Sequence, residues 1–152
     1  MRSITRISTN HDLARIVDDI NQASWDDDDV STYDVASLTA FLTREDTLFI
    51  TCYAVTAERS VLQGMCSGRL EYKPYGGERW LYIDEVDVCT DRRRKGVGSA
   101  MMRWLLAFAR EAGCQDVWLA TEQDNDAANG LYRALKPDDI GDVVGYGRDI
   151  NR

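Results

Sequence analysis

The stretch LYIDEVDVCTDRRRKGVGSAMMRWLL, residues 81–106, combines three patterns that together predict the fold. Its first part, residues 81–88, alternates apolar and acidic residues with a period of two, as a half-buried strand does. Four cations follow, then a glycine-rich turn, and then an apolar stripe at helical spacing. The order of strand, basic glycine loop and helix indicates a site for an anion.

The loop has the chemistry that an anion requires. Gly96 and Gly98 have no Cβ, so the backbone can approach a ligand closely. The first turn of the helix has N–H groups without an intrahelical partner, and its dipole favours negative charge. The cations at residues 92–95 add attraction for a phosphorylated ligand. The alternative is a solvated basic turn before an ordinary helix.

The spacing Arg93-x-x-Gly96-x-Gly98 resembles the acetyl-CoA signature R/Q-x-x-G-x-G/A of the GNAT superfamily of N-acetyltransferases. Two other glycine-loop signatures do not fit: Met101 stands at the last glycine of G-x-G-x-x-G, and G-x-x-x-x-G-K-[ST] is absent. The resemblance implies an α/β (α+β) fold, with a twisted, mixed but mostly antiparallel sheet of about six to seven strands and about four helices. It implies acetyl-CoA as the acetyl donor, with its pyrophosphate in this loop. The implied cofactor-binding residues here are Val86, Val88, Arg93, Arg94, Lys95, Gly96, Val97, Gly98 and Ser99.

A second motif, TEQDNDAANGLY at residues 121–132, resembles the N-x-x-A-x-x-L-Y element that follows the fifth strand in GNAT enzymes. Residues three and seven positions after Asn125 share a side of a helix. The resemblance implies that Asn125 holds a ligand amide, that Ala128 contacts the cofactor, and that Tyr132 protonates the departing thiolate. Taken singly, Asn125 would be a helix cap and Tyr132 a core aromatic residue. The chain departs from the family pattern just afterwards, at Lys136 and the residues that follow it.

Amide formation from a thioester needs a neutral amine, a polarised carbonyl and a protonated leaving thiol. In a strand, Glu85 and Asp87 share one face and Val86 and Val88 share the other. Similar enzymes carry an acidic residue at the position of Glu85, so we assign it as the general base. An ordinary glutamate titrates near ~4.3, so this role requires burial or a neighbouring carboxylate such as Asp87. The alternative is that Glu85 only anchors the acceptor and bulk water takes the proton.

The segment TLFITCYAV together with YIDEVDV-x(4)-RRRKGVG resembles the type I aminoglycoside 3-N-acetyltransferases. This resemblance implies acetylation of the 3-amine of an aminoglycoside, a small cationic amine. The alternatives are another small amine or polyamine, a protein amine, or a non-catalytic sensor that only binds acetyl-CoA. Four adjacent aspartates at residues 26–29 form either a solvated loop or a flap that gathers cations. The candidate substrate-binding residues are Asp84, Asp87, Asp124, Asp28 and Asp29.

The composition of the 152 residues fits one soluble domain, 1–152. A net charge of −8 argues against general nucleic-acid binding and suits a cationic acceptor. A single histidine argues against a histidine-rich metal site, and we expect no metal. Four scattered cysteines and the lack of a membrane-length apolar run predict reduced thiols in a cytoplasmic protein, away from membranes. The family resemblance adds the expectation of a homodimer.

Periodicity and turn residues predict the remaining elements. Predicted helices are 11–23, capped by Asn10, then 35–42, capped by Asp34, 98–112, ended by Gly113, and 125–135. Predicted strands are 1–8, 47–55, 61–72, 81–88, 116–120 and a last one near 142–149.

Overall fold

A mixed sheet flanked by helices is the main feature of the computed structural model, which describes residues 1–25, 30–92 and 95–152. The chain divides into a first unit, Met1–Leu119, and a second unit, Ala120–Arg152. The first unit contains, in chain order, β1 (Arg2–Arg6), α1 (Leu13–Gln22), α2 (Val35–Thr43), β2 (Thr47–Val55), β3 (Ser60–Tyr72), β4 (Arg79–Val88), a 3-10 turn (Thr90–Arg92), α3 (Val97–Glu111) and β5 (Asp116–Leu119).

The strands lie in the order β1-β2-β3-β4-β5; the first four are antiparallel and β5 runs parallel to β4. The prediction of a mixed, mostly antiparallel sheet is therefore confirmed. The prediction of six to seven strands is wrong, since the described residues form five strands in this sheet. The expected last strand near 142–149 does not form. That stretch is exposed and contains Gly145 and Gly147, and glycine weakens a strand because it adds no side chain to pack.

The first two helices begin at aspartate caps. In α1 the Oδ1 of Asp12 accepts a hydrogen bond from the N–H of Arg15 at 3.1 Å, so the predicted cap at Asn10 is wrong. His11 instead accepts the N–H of Ser8 in a turn, which delays the helix by two residues. The predicted cap at Asp34 is confirmed, and its hydrogen bonds with Ser37 hold the pKa of Asp34 below its usual value.

The sheet is buried on both faces. Met65 packs into one cluster with apolar residues of α1 and α2, whereas the Sγ of Cys66 lies 3.7 Å from the Sδ of Met101 in α3. Adjacent strand residues point to opposite faces, so α1 and α2 cover one face and α3 covers the other. Each fully buried large side chain contributes about 1.5–3 kcal/mol to folding. The buried residues of α3 are Val97, Met101, Met102, Leu105 and Ala109.

The second unit contains α4 (Asp126–Ala134), close to the predicted bounds of 125–135. Asn129 ties the helix to the preceding loop, because its Nδ2 donates to the carbonyl oxygen of Glu122 at 3.0 Å. Across the described residues, no helix combines the length and the apolar character that crossing a membrane would require.

Candidate functional site

The N-terminus of α3 has a row of backbone N–H donors without helical partners. Gly96 is its N-cap residue, with a φ of 77° that other residues adopt only with strain, and no side chain caps the helix. The first helical hydrogen bond runs from the N–H of Ala100 to the carbonyl oxygen of Gly96 at 3.0 Å. The N–H groups of Val97, Gly98 and Ser99 therefore have no partner within the helix. We call these donors, with the N–H of Gly96, the glycine cradle.

The side chains around the cradle differ in what they can offer. Lys95 is exposed and Gly98 and Ser99 are half-buried. Val97 is only 1% exposed and packs into the core, so it can reach a ligand through its backbone alone. Arg93 and Arg94, both predicted to bind the cofactor, lie outside the described residues.

Strand β4, which leads to the cradle, has two interruptions in its pairing. A bulge in the ladder with β3 leaves Asp84 unpaired, because Gly68 faces Ile83 and Ser67 faces Glu85. On its other side, β4 pairs with β5 only over 80–83. Beyond Ile83, none of the described strands of the first unit pairs with β4 on the β5 side, so the backbone donors and acceptors of β4 on that side can meet a ligand.

The two faces of β4 separate its valines from its carboxylates, as predicted. Val86 faces Cys66 and Val88 faces Gly64 across the ladder, on the side that α3 covers. Both valines are half-buried. Glu85 and Asp87 point to the opposite face, where α1 and α2 pack.

Glu85 ends a row of three residues that crosses the sheet and forms the floor of a pocket. Phe49 of β2 faces Ser67 of β3, which in turn faces Glu85 of β4. The pocket has a volume of about 260 Å³, and its walls are α2 and the segment before it. Its lining residues are Ser31, Thr32, Tyr33, Asp34, Ser37, Leu38, Phe41, Phe49, Ser67 and Glu85.

The pKa of Tyr33 depends on its surroundings in this pocket. Its ring packs against Phe49, with centroids 6.0 Å apart. Burial, together with the negative charges of Glu85 and Asp87, raises the pKa of Tyr33 to about 12. Burial is the larger of these causes, and the two carboxylates add negative charge beside the pocket, which would favour a bound cation.

The carboxylates of β4 differ in their environment. Asp84 is exposed and forms an ion pair with Arg69, whose Nε lies 3.4 Å from its Oδ1; Arg69 pairs with Glu71 as well, so two carboxylates share this one guanidinium. Asp87 is half-buried. Glu85 is exposed at the pocket, so burial, one of the two conditions named for a general base beside a neighbouring carboxylate such as Asp87, is not met in the protein alone. Desolvation of Glu85 therefore depends on a bound molecule.

The second unit carries the remaining candidates. Asn125 caps α4, and its Oδ1 accepts from the N–H of Ala128 at 3.1 Å, so its side-chain amide N–H₂ is the group left to bind a ligand. Tyr132 is half-buried on this helix, and Asp124 is exposed in the loop before it. Asp28 and Asp29 lie outside the described residues.

A metal centre finds no support in the described part of the chain. Among those residues, no three histidine, cysteine or carboxylate side chains are grouped where they could hold a metal ion. The cysteines Cys52, Cys66, Cys89 and Cys114 are all free thiols.

Comparison with known proteins decides the family. A model of the acetyltransferase (GNAT) family matches residues 11–136, which include β4, the cradle and α4. The chain belongs to the GNAT family. A curated relative, N-acetyltransferase family 8 member 3 of Mus musculus, is 32% identical over 84 residues, which are 55% of this chain and 37% of the relative. The match thus spans little more than a third of the relative's length.

Solved structures show the same GNAT fold over nearly the whole chain. One is an aminoglycoside acetyltransferase, meta-AAC0020 from an uncultured soil metagenomic sample, in complex with sisomicin: the TM-score is 0.80, the identity 19%, and 98% of this chain and 96% of that chain are covered. Another is AAC(6')-Iy in complex with the bisubstrate analog CoA-S-monomethyl-acetylneamine, with a TM-score of 0.75, 14% identity, and coverage of 98% and 99%. At these identities the likeness shows the fold alone.

The structure adds pocket residues that the sequence analysis did not select. Tyr33, Phe49 and Ser67 line the same pocket as Glu85, although none belongs to either motif. The strand register brings Phe49 and Ser67 beside Glu85, and register follows from packing between distant segments.

Proposed function

We propose that this protein transfers the acetyl group of acetyl-CoA to a primary amine of a small cationic acceptor, most specifically an aminoglycoside. One observation carries the proposal. Strand β4 holds Glu85 at a pocket, with Asp87 on the same face of the strand, and the chain continues from this strand through the 3-10 turn to the glycine cradle. A cationic acceptor and an anionic donor would thus bind near the same strand.

Acetyl-CoA fits the polar groups around the cradle. Its pyrophosphate would accept hydrogen bonds from the N–H groups of Gly96, Val97, Gly98 and Ser99 at the positive end of the α3 dipole. Arg93, Arg94 and Lys95 would supply positive charge. The backbone of β4 next to Val86 and Val88 would pair with the amides of the extended pantetheine arm, since β5 leaves that edge open.

The acceptor amine would enter the pocket floored by Phe49, Ser67 and Glu85. The amine must lose its proton before it attacks the thioester carbonyl, and Glu85 is the carboxylate at this pocket that is not engaged in a helix cap. The apolar part of the lining, Leu38, Phe41 and Phe49, would exclude water from that side once the acceptor binds, which would strengthen the interaction between the amine and Glu85. Asp84, Asp87 and Asp124, with Asp28 and Asp29, would bind further ammonium groups of the acceptor.

The leaving thiolate needs a proton, and Tyr132 is our candidate donor. Attack of the amine on the thioester carbonyl forms the C–N bond, and collapse of the tetrahedral adduct breaks the C–S bond. Tyr132 would then donate its phenolic proton to the sulfur, while the Nδ2 group of Asn125 binds a ligand amide and Ala128 contacts the cofactor. These roles follow from the family motif and remain for mutagenesis to test.

The acceptor class rests on charge, pocket size and related proteins. The pocket of about 260 Å³ is slightly smaller than the roughly 300–1,000 Å³ of sites for drug-sized ligands, so it suits one amine-bearing ring with the rest of the molecule outside. Two regiochemistries compete. The sequence resemblance favours the 3-amine, whereas the structural relative AAC(6')-Iy favours the 6'-amine.

Two alternatives to this assignment and two further predictions belong to the proposal. The alternative acceptor is a polyamine or a protein amine. The match of about half of this chain to a mammalian N-acetyltransferase supports this alternative. A sensor that binds acetyl-CoA without turnover is the non-catalytic alternative. A homodimer and a cytoplasmic location remain predictions from the resemblance and the composition.

Thiol release from acetyl-CoA, measured against a panel of amines, tests the proposal. The panel contains sisomicin, gentamicin, kanamycin, spermidine and a lysine peptide, and the acetylated position is then identified by NMR. We expect saturable turnover with the aminoglycosides. Turnover with spermidine or the peptide alone would overturn the acceptor class, and acetyl-CoA binding without amine-dependent turnover would support the sensor.

A further inference from the structure

An arginine from the far edge of the sheet reaches the glycine cradle. Arg2 is the first residue of β1, three strands away from β4 in the sheet. Its Nη2 donates a hydrogen bond to the carbonyl oxygen of Lys95 at 2.7 Å. Its Nη1 lies 3.9 Å from the position that a Cβ on Gly96 would occupy. This contact joins residues 93 positions apart.

The contact fixes the orientation of one peptide group. In a trans peptide the carbonyl oxygen and the following N–H point in opposite directions within one plane. Because Arg2 holds the carbonyl oxygen of Lys95, the N–H of Gly96 must point away from the guanidinium. Within the described residues, this N–H has no hydrogen-bond partner. The carbonyl oxygen, which would repel an anion, therefore points opposite to the N–H of Gly96.

We propose that Arg2 is a positioning residue for the coenzyme: it locks the Lys95–Gly96 peptide so that the N–H of Gly96 faces the pyrophosphate. The guanidinium also places a positive charge next to Gly96, where it adds attraction for a phosphorylated ligand. This inference rests on the proposed cofactor role of the cradle and deepens it.

Arg6 provides a matched control. It lies on the same strand and likewise donates from its Nη2 to a backbone carbonyl oxygen, that of Thr47, at 3.2 Å. Its guanidinium lies 5.1 Å from the ring centroid of Phe108, a residue of α3 far along the helix from the cradle. A general effect of losing a strand-edge arginine should therefore be the same at both positions.

The test compares the affinities of wild type, Arg2→Met, Arg2→Lys and Arg6→Met for coenzyme A, measured by calorimetry. We expect Arg2→Met to weaken coenzyme A binding about 10-fold, because a charge-assisted hydrogen bond and a nearby charge are lost. Arg2→Lys keeps the positive charge but lacks the paired N–H donors of the guanidinium, so its affinity for coenzyme A should lie between those of Arg2→Met and wild type. Arg6→Met should bind coenzyme A as wild type does.

A truncated donor separates positioning from general damage. S-acetylpantetheine lacks the pyrophosphate, so Arg2→Met should leave kcat/KM for this donor unchanged within about 2-fold while kcat/KM for acetyl-CoA falls. Equal losses with both donors, or the same loss in Arg6→Met, would overturn the role of Arg2. Unchanged coenzyme A affinity in Arg2→Met would also overturn it. A wild type that fails to bind coenzyme A would instead overturn the cradle assignment itself, and the role of Arg2 with it.

Discussion

Glu85 lies directly opposite Ser67 in the ladder between β3 and β4, immediately after the bulge at Asp84. In an unbroken strand, adjacent residues point to opposite faces, so Asp84 and Glu85 could not serve the same surface. The extra residue of a bulge removes this constraint. The two carboxylates nevertheless differ in their partners, since Asp84 is paired with Arg69 and Glu85 lies at the pocket.

This difference gives the first prediction. Glu85→Gln should lower kcat and flatten the acidic limb of the pH–rate profile, because the glutamine cannot accept the proton of the amine. Asp84→Asn is the matched control, as it removes an adjacent carboxylate that pairs with Arg69 and does not line the pocket. Its profile should keep the acidic limb. An unchanged limb in Glu85→Gln would identify water or another carboxylate as the base.

The second prediction concerns the potential in the pocket. Tyr33 should ionise near pH 12, above the ordinary tyrosine value of 10.0, because its environment is desolvated and negative. Its contribution to stability is present below pH 10 and should be lost as the pH rises toward 12. The difference in ultraviolet titration between wild type and Tyr33→Phe measures this ionisation. In a Glu85→Gln background the same difference should shift to lower pH, and the absence of a shift would place Tyr33 outside the influence of Glu85.

The third prediction separates backbone strain from cofactor binding at two glycines. Gly96 and Gly113 both have φ near +75°, one at the start and one just after the end of α3. Alanine at either position should cost about 1–2 kcal/mol of stability, measured by thermal unfolding. Only Gly96→Ala should also weaken coenzyme A binding, because its backbone belongs to the cradle. Equal coenzyme A affinity in the two variants would remove Gly96 from the cofactor site.

The fourth prediction tests the acid on α4. Tyr132→Phe should lower kcat about 10-fold or more with little change in acetyl-CoA affinity, because the hydroxyl acts on the leaving group alone. Tyr146→Phe is the control in the same unit, since its side chain is 95% exposed. Steady-state kinetics with saturating acceptor provides the measurement. A wild-type kcat in Tyr132→Phe would exclude the acid role.

Local patterns in the sequence were sufficient to predict much of the fold. The period-two run of residues 81–88 and the apolar stripe after the glycine loop predicted β4 and α3 to within two residues at each end. The helix caps show where such local patterns are insufficient. Asp34 was predicted correctly as the cap of α2. For α1 the predicted cap was Asn10, but Ser8 and His11 form a turn and the helix begins after Asp12 instead. The strand predicted near 142–149 does not form, and the exposed glycines Gly145 and Gly147 in that stretch weaken a strand.

The sequence by itself determined the family, the glycine loop and the carboxylates of β4, because each depends on residues that are neighbours along the chain. Tertiary structure alone decided what surrounds them. The row from Phe49 through Ser67 to Glu85 depends on strand register, and the hydrogen bond from Arg2 to Lys95 depends on how α3 crosses the sheet. Register and helix placement are set by the packing of side chains from distant segments, which no local pattern records.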